Sequence, residues 1–112
     1  MIENAILHAE ATRILSGHSM WMVYLGEALL SEGRPAEARV QALRAAELAR
    51  TRGERGFGAW TTRLLGEIAA GTGERAAAFE AYREALGTAD ALDMRPLAGR
   101  CRTEMARLLG DD

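Results

Sequence analysis

Apolar residues recur along this chain at the three-and-four spacing of a helix face, with glycine or proline interrupting them at intervals. Ile2, Ile6 and Ala9, flanked by Leu7, Ala11 and Ile14, predict a helix over residues 2–15, ended by Ser16-Gly17. Ser19 is placed to cap a second helix over residues 19–32, which Gly33 stops. Pro35 suits a first helical position and Glu37 suits the positive end of a helix, so a third helix is predicted over residues 35–52. Residues 53–58, with Gly53, Gly56 and Gly58, read as a turn before a fourth helix over 59–70. Gly71-Thr72-Gly73 breaks that helix, and a fifth covers 74–92. Asp93 to Pro96 forms the next corner, a sixth helix covers 97–109, and 110–112 fray. Short turns between helices make neighbours antiparallel. The expected fold class is all-α.

A repeat runs through this pattern. Trp21-Met22-Val23-Tyr24-Leu25-Gly26-Glu27 is echoed by Trp60-Thr61-Thr62-Arg63-Leu64-Leu65-Gly66-Glu67, so that Leu-Gly-Glu at Gly26 returns at Gly66. A second glycine follows each copy, at Gly33 and Gly73, and small residues fall in step on the next helix, at Ala38, Ala42 and Ala45 and at Ala78 and Ala85, with Tyr82 between the latter two. Glycine or alanine at a helix crossing lets two backbones approach closely.

These residues resemble the tetratricopeptide repeat (TPR) family. Leu25-Gly26 and Leu65-Gly66 match its Leu-Gly pair, Gly33 and Gly73 its mid-repeat turn, and Ala38, Ala45, Ala78 and Ala85 its second-helix alanines. The resemblance implies one domain over residues 1–112, an antiparallel helix-hairpin solenoid of about six helices in a right-handed superhelical stack. Residues 19–52 and 59–92 would be full repeats, 1–15 the second helix of an incomplete one, and 97–109 the first helix of another. Two departures stand out. The step from Gly26 to Gly66 is longer than the family's usual ~34 residues, which predicts longer second helices, and Met22 and Thr62 replace the usual tryptophan. Residues 82–86, 92–97 and Cys101 further resemble the C-terminal repeat regions of large bacterial signalling proteins with nucleotide-cyclase or ATPase-regulator domains. That implies a regulatory tail rather than an activity.

In this family the first helices line a concave groove. Sorting positions at about 100° per residue from the motif glycine gives three stripes for it: Met20, Val23 and Glu27; Trp60, Arg63 and Glu67; Arg100, Thr103 and Arg107. The expected ligand is a protein segment with a hydrophobic anchor and acidic residues. The alternative is a solvated face on which Arg63 and Glu67 form an ordinary i,i+4 pair. Trp21 stands five residues before its glycine rather than six, which turns it toward the core with Leu25 and Leu29 and leaves Trp60 available. The lysine–asparagine clamp with which some relatives hold a terminal carboxylate is absent from these positions.

Composition narrows the chemistry. The 112 residues suffice for one core, and 48% hydrophobic with 27% charged residues is ordinary for a globular domain. A formal net charge of −2 supplies no global field for nucleic acid or anionic membrane. All 14 basic residues are arginine, which excludes a phosphate-loop lysine, a Schiff base and a pyridoxal anchor. The single Cys101 excludes an internal disulfide and falls on an apolar arc with Met105 and Leu108. His8, His18 and Glu10 lack metal-ligand spacing, Ser16-Gly17-His18 lacks an oxyanion site, and no strand precedes the glycines at 53–58. No catalytic, metal or cofactor residues are therefore assigned. Charges within residues 1–15 and at Glu27 interrupt any leader or membrane-spanning run, which makes the cytoplasm the expected compartment.

The expectation is a non-catalytic protein-binding module, regulatory or scaffolding, with no nucleic-acid or membrane partner. The rival is structural: helix one and the Arg102/Ala106/Leu109 edge of helix six each lack a partner helix, so the array ends would self-associate into a homo-oligomer such as a homodimer.

Overall fold

Every corner between helices of the described residues is closed by the same backbone device. Gly33, Gly53, Gly73 and Asp93 hold left-handed φ values of 76°, 68°, 82° and 59°, and they follow one another at equal steps, two to each Leu-Gly-Glu repeat. The N–H after each, on Arg34, Glu54, Glu74 and Met94, donates to the carbonyl five positions back at 2.7–2.9 Å. The N–H of the left-handed residue itself donates to the carbonyl three positions back at 3.0–3.3 Å. These paired bonds satisfy the last carbonyls of one helix and turn the chain directly into the next.

The computed structural model describes residues 18–110. Within them lie α1 (His18–Ser31), α2 (Pro35–Arg52), α3 (Arg55–Gly71), α4 (Arg75–Ala91) and α5 (Arg95–Gly110), with no strand among the described residues. The protein is all-helical there, and the short links make chain neighbours antiparallel. The helix expected over residues 2–15 lies outside the described residues. No helix of the described residues is long and apolar enough to cross a membrane.

Several expected boundaries move. α1 begins at His18, so Ser19 lies inside it rather than capping it. α3 begins at Arg55, ahead of the expected start at Ala59, because Gly53 alone supplies the left-handed turn and Gly58 N–H already donates to the Glu54 carbonyl. Gly56 and Gly58 are helical, not part of an extended turn. α5 starts at Arg95 and carries Pro96 in its first turn, where proline costs no hydrogen bond. The extra length over the TPR pattern is not confined to second helices, since α3 and α4 both have 17 residues.

Each helix packs on its chain neighbours, and α3 also touches α1 and α5. The core of α2 is alanine throughout, with Ala38, Ala42 and Ala45 at 0% exposure and Ala49 at 4%. One repeat on, Ala78, Tyr82, Ala85 and Ala89 occupy the same positions in α4 and are equally buried. α1, α3 and α5 supply larger apolar groups, among them Val23, Leu25, Leu29, Leu64, Ile68 and Leu97. Gly66 marks a close approach: a Cβ there would meet the Tyr82 ring at 2.9 Å and Ala81 Cβ at 3.2 Å. At Gly26 a Cβ would meet Leu64 Cδ2 at 2.7 Å. The two motif glycines therefore differ in what they approach: Gly66 admits the following helix α4, whereas Gly26 admits a side chain of α3 and lies at ordinary contact distance from α2.

Candidate functional site

Arg63 is the largest fully buried side chain among the described residues, at 0% exposure. A guanidinium cannot sit dry without compensation, because losing water costs several kcal/mol per ion. The compensation comes from three helices. Its Nη2 donates to Glu27 Oε2 of α1 at 2.5 Å, and its Nη1 to Glu67 Oε1 of α3 at 3.4 Å and to Glu104 Oε1 of α5 at 3.2 Å. The Tyr82 hydroxyl of α4 donates to Glu104 Oε2 at 3.4 Å. The three carboxylates are 19–31% exposed and keep one edge in water. One cation therefore joins α1, α3 and α5.

The electrostatics follow from that crowding. Desolvation raises the Glu67 carboxyl above the ordinary carboxylate value, and Glu104 and Glu27 push the same way against Arg63 and Arg100. Burial first, then the Glu104 and Glu67 charges, drives the Tyr82 phenol well above its usual range, so it stays a neutral donor. Burial likewise pushes up the Cys101 thiol, which is fully enclosed and inert as a nucleophile.

The residues expected in a groove do converge, but not on an open surface. Val23, at 1% exposure, belongs to the core shared by α1, α2 and α3, and Met20 packs against the same cluster. Arg63 is enclosed because α3 lies between α1 and α5, whose glutamates reach over it. The solvated i,i+4 pair is thus replaced by a five-member network around the fully buried Arg63, with its three carboxylates at the water edge. Trp60 is half-buried and packs against both main core clusters, with the Arg63 guanidinium 5.7 Å and the Arg100 guanidinium 5.8 Å from its ring centroid. Trp21 is also half-buried, so burial does not separate the two tryptophans as their offsets suggested. Cys101 is buried as expected, whereas Met105 and Leu108 pack against a different cluster, around Ala69, Ala78 and Tyr82.

What stays open is the α5 end of the stripe. Arg100, Thr103 and Arg107 are exposed and edge a depression of about 520 Å³ that Glu67 and Glu104 wall on the other side. Arg107 forms no ion pair among the described residues. The arrangement offers two guanidiniums and a hydroxyl on one helix face, with carboxylates already engaged by Arg63. It can hold an acidic group by charge-assisted hydrogen bonds.

Glu104 and Tyr82 are the members that sorting by the groove stripe did not select. Glu104 carried a signal: one repeat step after Leu64, it places a carboxylate at a position that is fully buried in the earlier copy. Comparison with protein-family models, with curated proteins and with solved structures finds no match to this chain.

Proposed function

We propose that this chain is a non-catalytic protein-binding module of the TPR-like kind, a right-handed stack of six helices that captures an acidic protein segment beside α5. The observation that carries the reading is the depression of about 520 Å³ with Arg100, Thr103 and Arg107 spaced along one helix face. An extended or helical ligand lays a carboxylate against Arg107, and an apolar side chain against the Trp60 ring that Arg100 partly shields. The sites at Met20, Val23 and Glu27 support the binding face from beneath rather than touching the ligand. The setting we infer is cytoplasmic and regulatory, in keeping with the sequence resemblance to bacterial signalling tails.

The test is fluorescence anisotropy with labelled peptides of graded acidic content. Arg107→Glu and Arg100→Glu should each weaken binding of the most acidic peptide at least tenfold, the loss of about 1.4 kcal/mol per charge reversal. Arg44→Glu, an exposed arginine on α2, serves as the control for general charge. Equal losses from all three variants, or none, would overturn the reading.

A further inference from the structure

Three carboxylates share the single guanidinium of Arg63, and they are not held equally. Glu27 Oε2 lies 2.5 Å from Nη2 and has that nitrogen to itself. Glu104 has both oxygens engaged, Oε1 with Nη1 at 3.2 Å and Oε2 with the Tyr82 hydroxyl. Glu67 shares Nη1 with Glu104, and its contact of 3.4 Å is the longest of the three. Its Oε2 has no hydrogen-bond partner among the described residues. The least firmly held carboxylate is also one of the two that wall the depression facing Arg100, Thr103 and Arg107.

We propose, resting on the acidic-ligand reading above, that Glu67 couples that site to pH: an acidic group entering the depression is bound together with a proton, which comes to rest on Glu67 Oε2. The ligand's charge adds to that of Glu27 from α1 and Glu104 from α5, which already repel Glu67. The opposing cations are Arg63 on its own helix and Arg100 on α5, and Arg107 lines the same depression. From α4 comes only the Tyr82 phenol, which stays neutral, and α2 brings no charged group to it. A proton removes the repulsion and turns Oε2 into a donor, so that Glu67 can hydrogen-bond the ligand's oxygen instead of opposing it. The hub survives the change, because Arg63 keeps Glu27 and Glu104.

The sign follows from the same groups. Burial, followed by the Glu104 and Glu27 charges, holds the Glu67 carboxyl above its ordinary value against Arg63 and Arg100, and a bound anion raises it further. Well above the higher of these two values Glu67 is ionised with or without ligand, and affinity is low and flat. Between them one proton is taken up, and affinity rises as pH falls by at most about tenfold per pH unit. Below the lower value it is flat again and high.

The probe is a labelled peptide whose acidic residues are cysteic acid, a sulfonate that stays ionised throughout, so that any proton taken up belongs to the protein. Calorimetric titration of the full chain, in buffers of different ionisation enthalpy, counts the protons bound with it. The wild type should take up a fraction of a proton that approaches one as pH falls from neutral toward the carboxylate range, with Kd tightening in step. Glu67→Gln, whose amide mimics the protonated acid, should bind at neutral pH as tightly as the wild type does in acid, with no uptake. A wild type that takes up no proton at any pH in that range, or an equal uptake by Glu67→Gln, would overturn the proposal. Arg107→Glu separates the two layers of the reading. If it leaves affinity intact, the acidic-ligand site is wrong and its coupling to Glu67 falls with it. If it weakens binding while the wild type takes up no proton, the site stands and the coupling alone fails.

Discussion

Replacing Arg63 by methionine should be the most damaging change in this protein that creates no steric clash. Its guanidinium meets three carboxylates at 2.5, 3.2 and 3.4 Å with none of its own surface in water. Each contact is a gross attraction on the order of 4 kcal/mol at the effective dielectric of a protein. Burial of the charge cancels much of that sum. The net effect of removal is set instead by what remains: three carboxylates facing one another around an apolar side chain. Breaking a buried charge set in this way costs about 3–5 kcal/mol, and the partial exposure of the glutamates places this case near the lower end. For a domain of this size about 3 kcal/mol lowers Tm by roughly 12–24 °C. Circular dichroism at a helical band, with heat and with urea, reads the change. The same substitution in a Glu27→Gln, Glu67→Gln, Glu104→Gln background should cost far less, because the repulsion it exposes has been removed. Arg63→Lys should fall between, since an ammonium does not span three partners as a planar guanidinium does. If Arg63→Met melts within about 1 kcal/mol of the parent, or costs the same in both backgrounds, the network is not what couples α1, α3 and α5.

Glu67 gives a prediction of opposite sign. Its folded carboxyl is raised, so the folded state binds the proton more tightly than the unfolded state and its ionised form opposes folding. Glu67→Gln should therefore raise Tm at neutral pH, with the gain shrinking as pH falls through the folded value toward the ordinary carboxylate range. A gain that grows on acidification would contradict this. The same variant should tighten binding of an acidic peptide, because a carboxylate walling the depression is neutralised; weaker binding by anisotropy would count against the proposed site. Gly66→Ala should destabilise by about 1–3 kcal/mol, since the buried Tyr82 ring at 2.9 Å has nowhere to move, and a urea midpoint matching the parent would refute the contact. Gly87→Ala, in open space within α4, should instead stabilise by about 0.5–1 kcal/mol through helix propensity alone, as a thermal melt would register.

Much of the helical pattern was legible in the sequence because its punctuation is local. Gly33 and Gly73 were marked as stops by their neighbours, and both adopt the left-handed conformation for which glycine is suited. Gly53 was harder to isolate, since Gly56 and Gly58 follow it and a glycine cluster looks like a loop. That ambiguity hid the shorter period. Turns recur twice for each recurrence of the core residues, because α2 and α4 use mostly alanine where α1, α3 and α5 use larger groups. The site was legible only in part. Angular sorting gives the direction of a side chain from its own helix axis, and it placed Glu27, Arg63 and Glu67 on neighbouring stripes of an open groove. It says nothing of whether neighbouring side chains close over that direction. Arg63 is enclosed by groups on α1 and α5, far from it in the chain, and no local pattern reports that.

That enclosure bears on why a charged group occupies the middle of so small a domain. An apolar residue at position 63 could be as stabilising, given that buried ion sets often give no net gain over a well-packed hydrophobe. Alanine-rich helices, however, present smooth faces, and a helix sliding by one turn along such a face exchanges one small residue for another at little cost. Here α2 offers alanine at four successive core positions and α4 at three of four. A slip of α1 or α5 against α3 would draw Glu27 or Glu104 away from Arg63 and leave a fully buried charge short of partners. The penalty falls on the misaligned states and not on the native one, which is how a buried polar group specifies register. The hub thus holds α1, α3 and α5 in line, and with them the face of α5 that carries Arg100, Thr103 and Arg107.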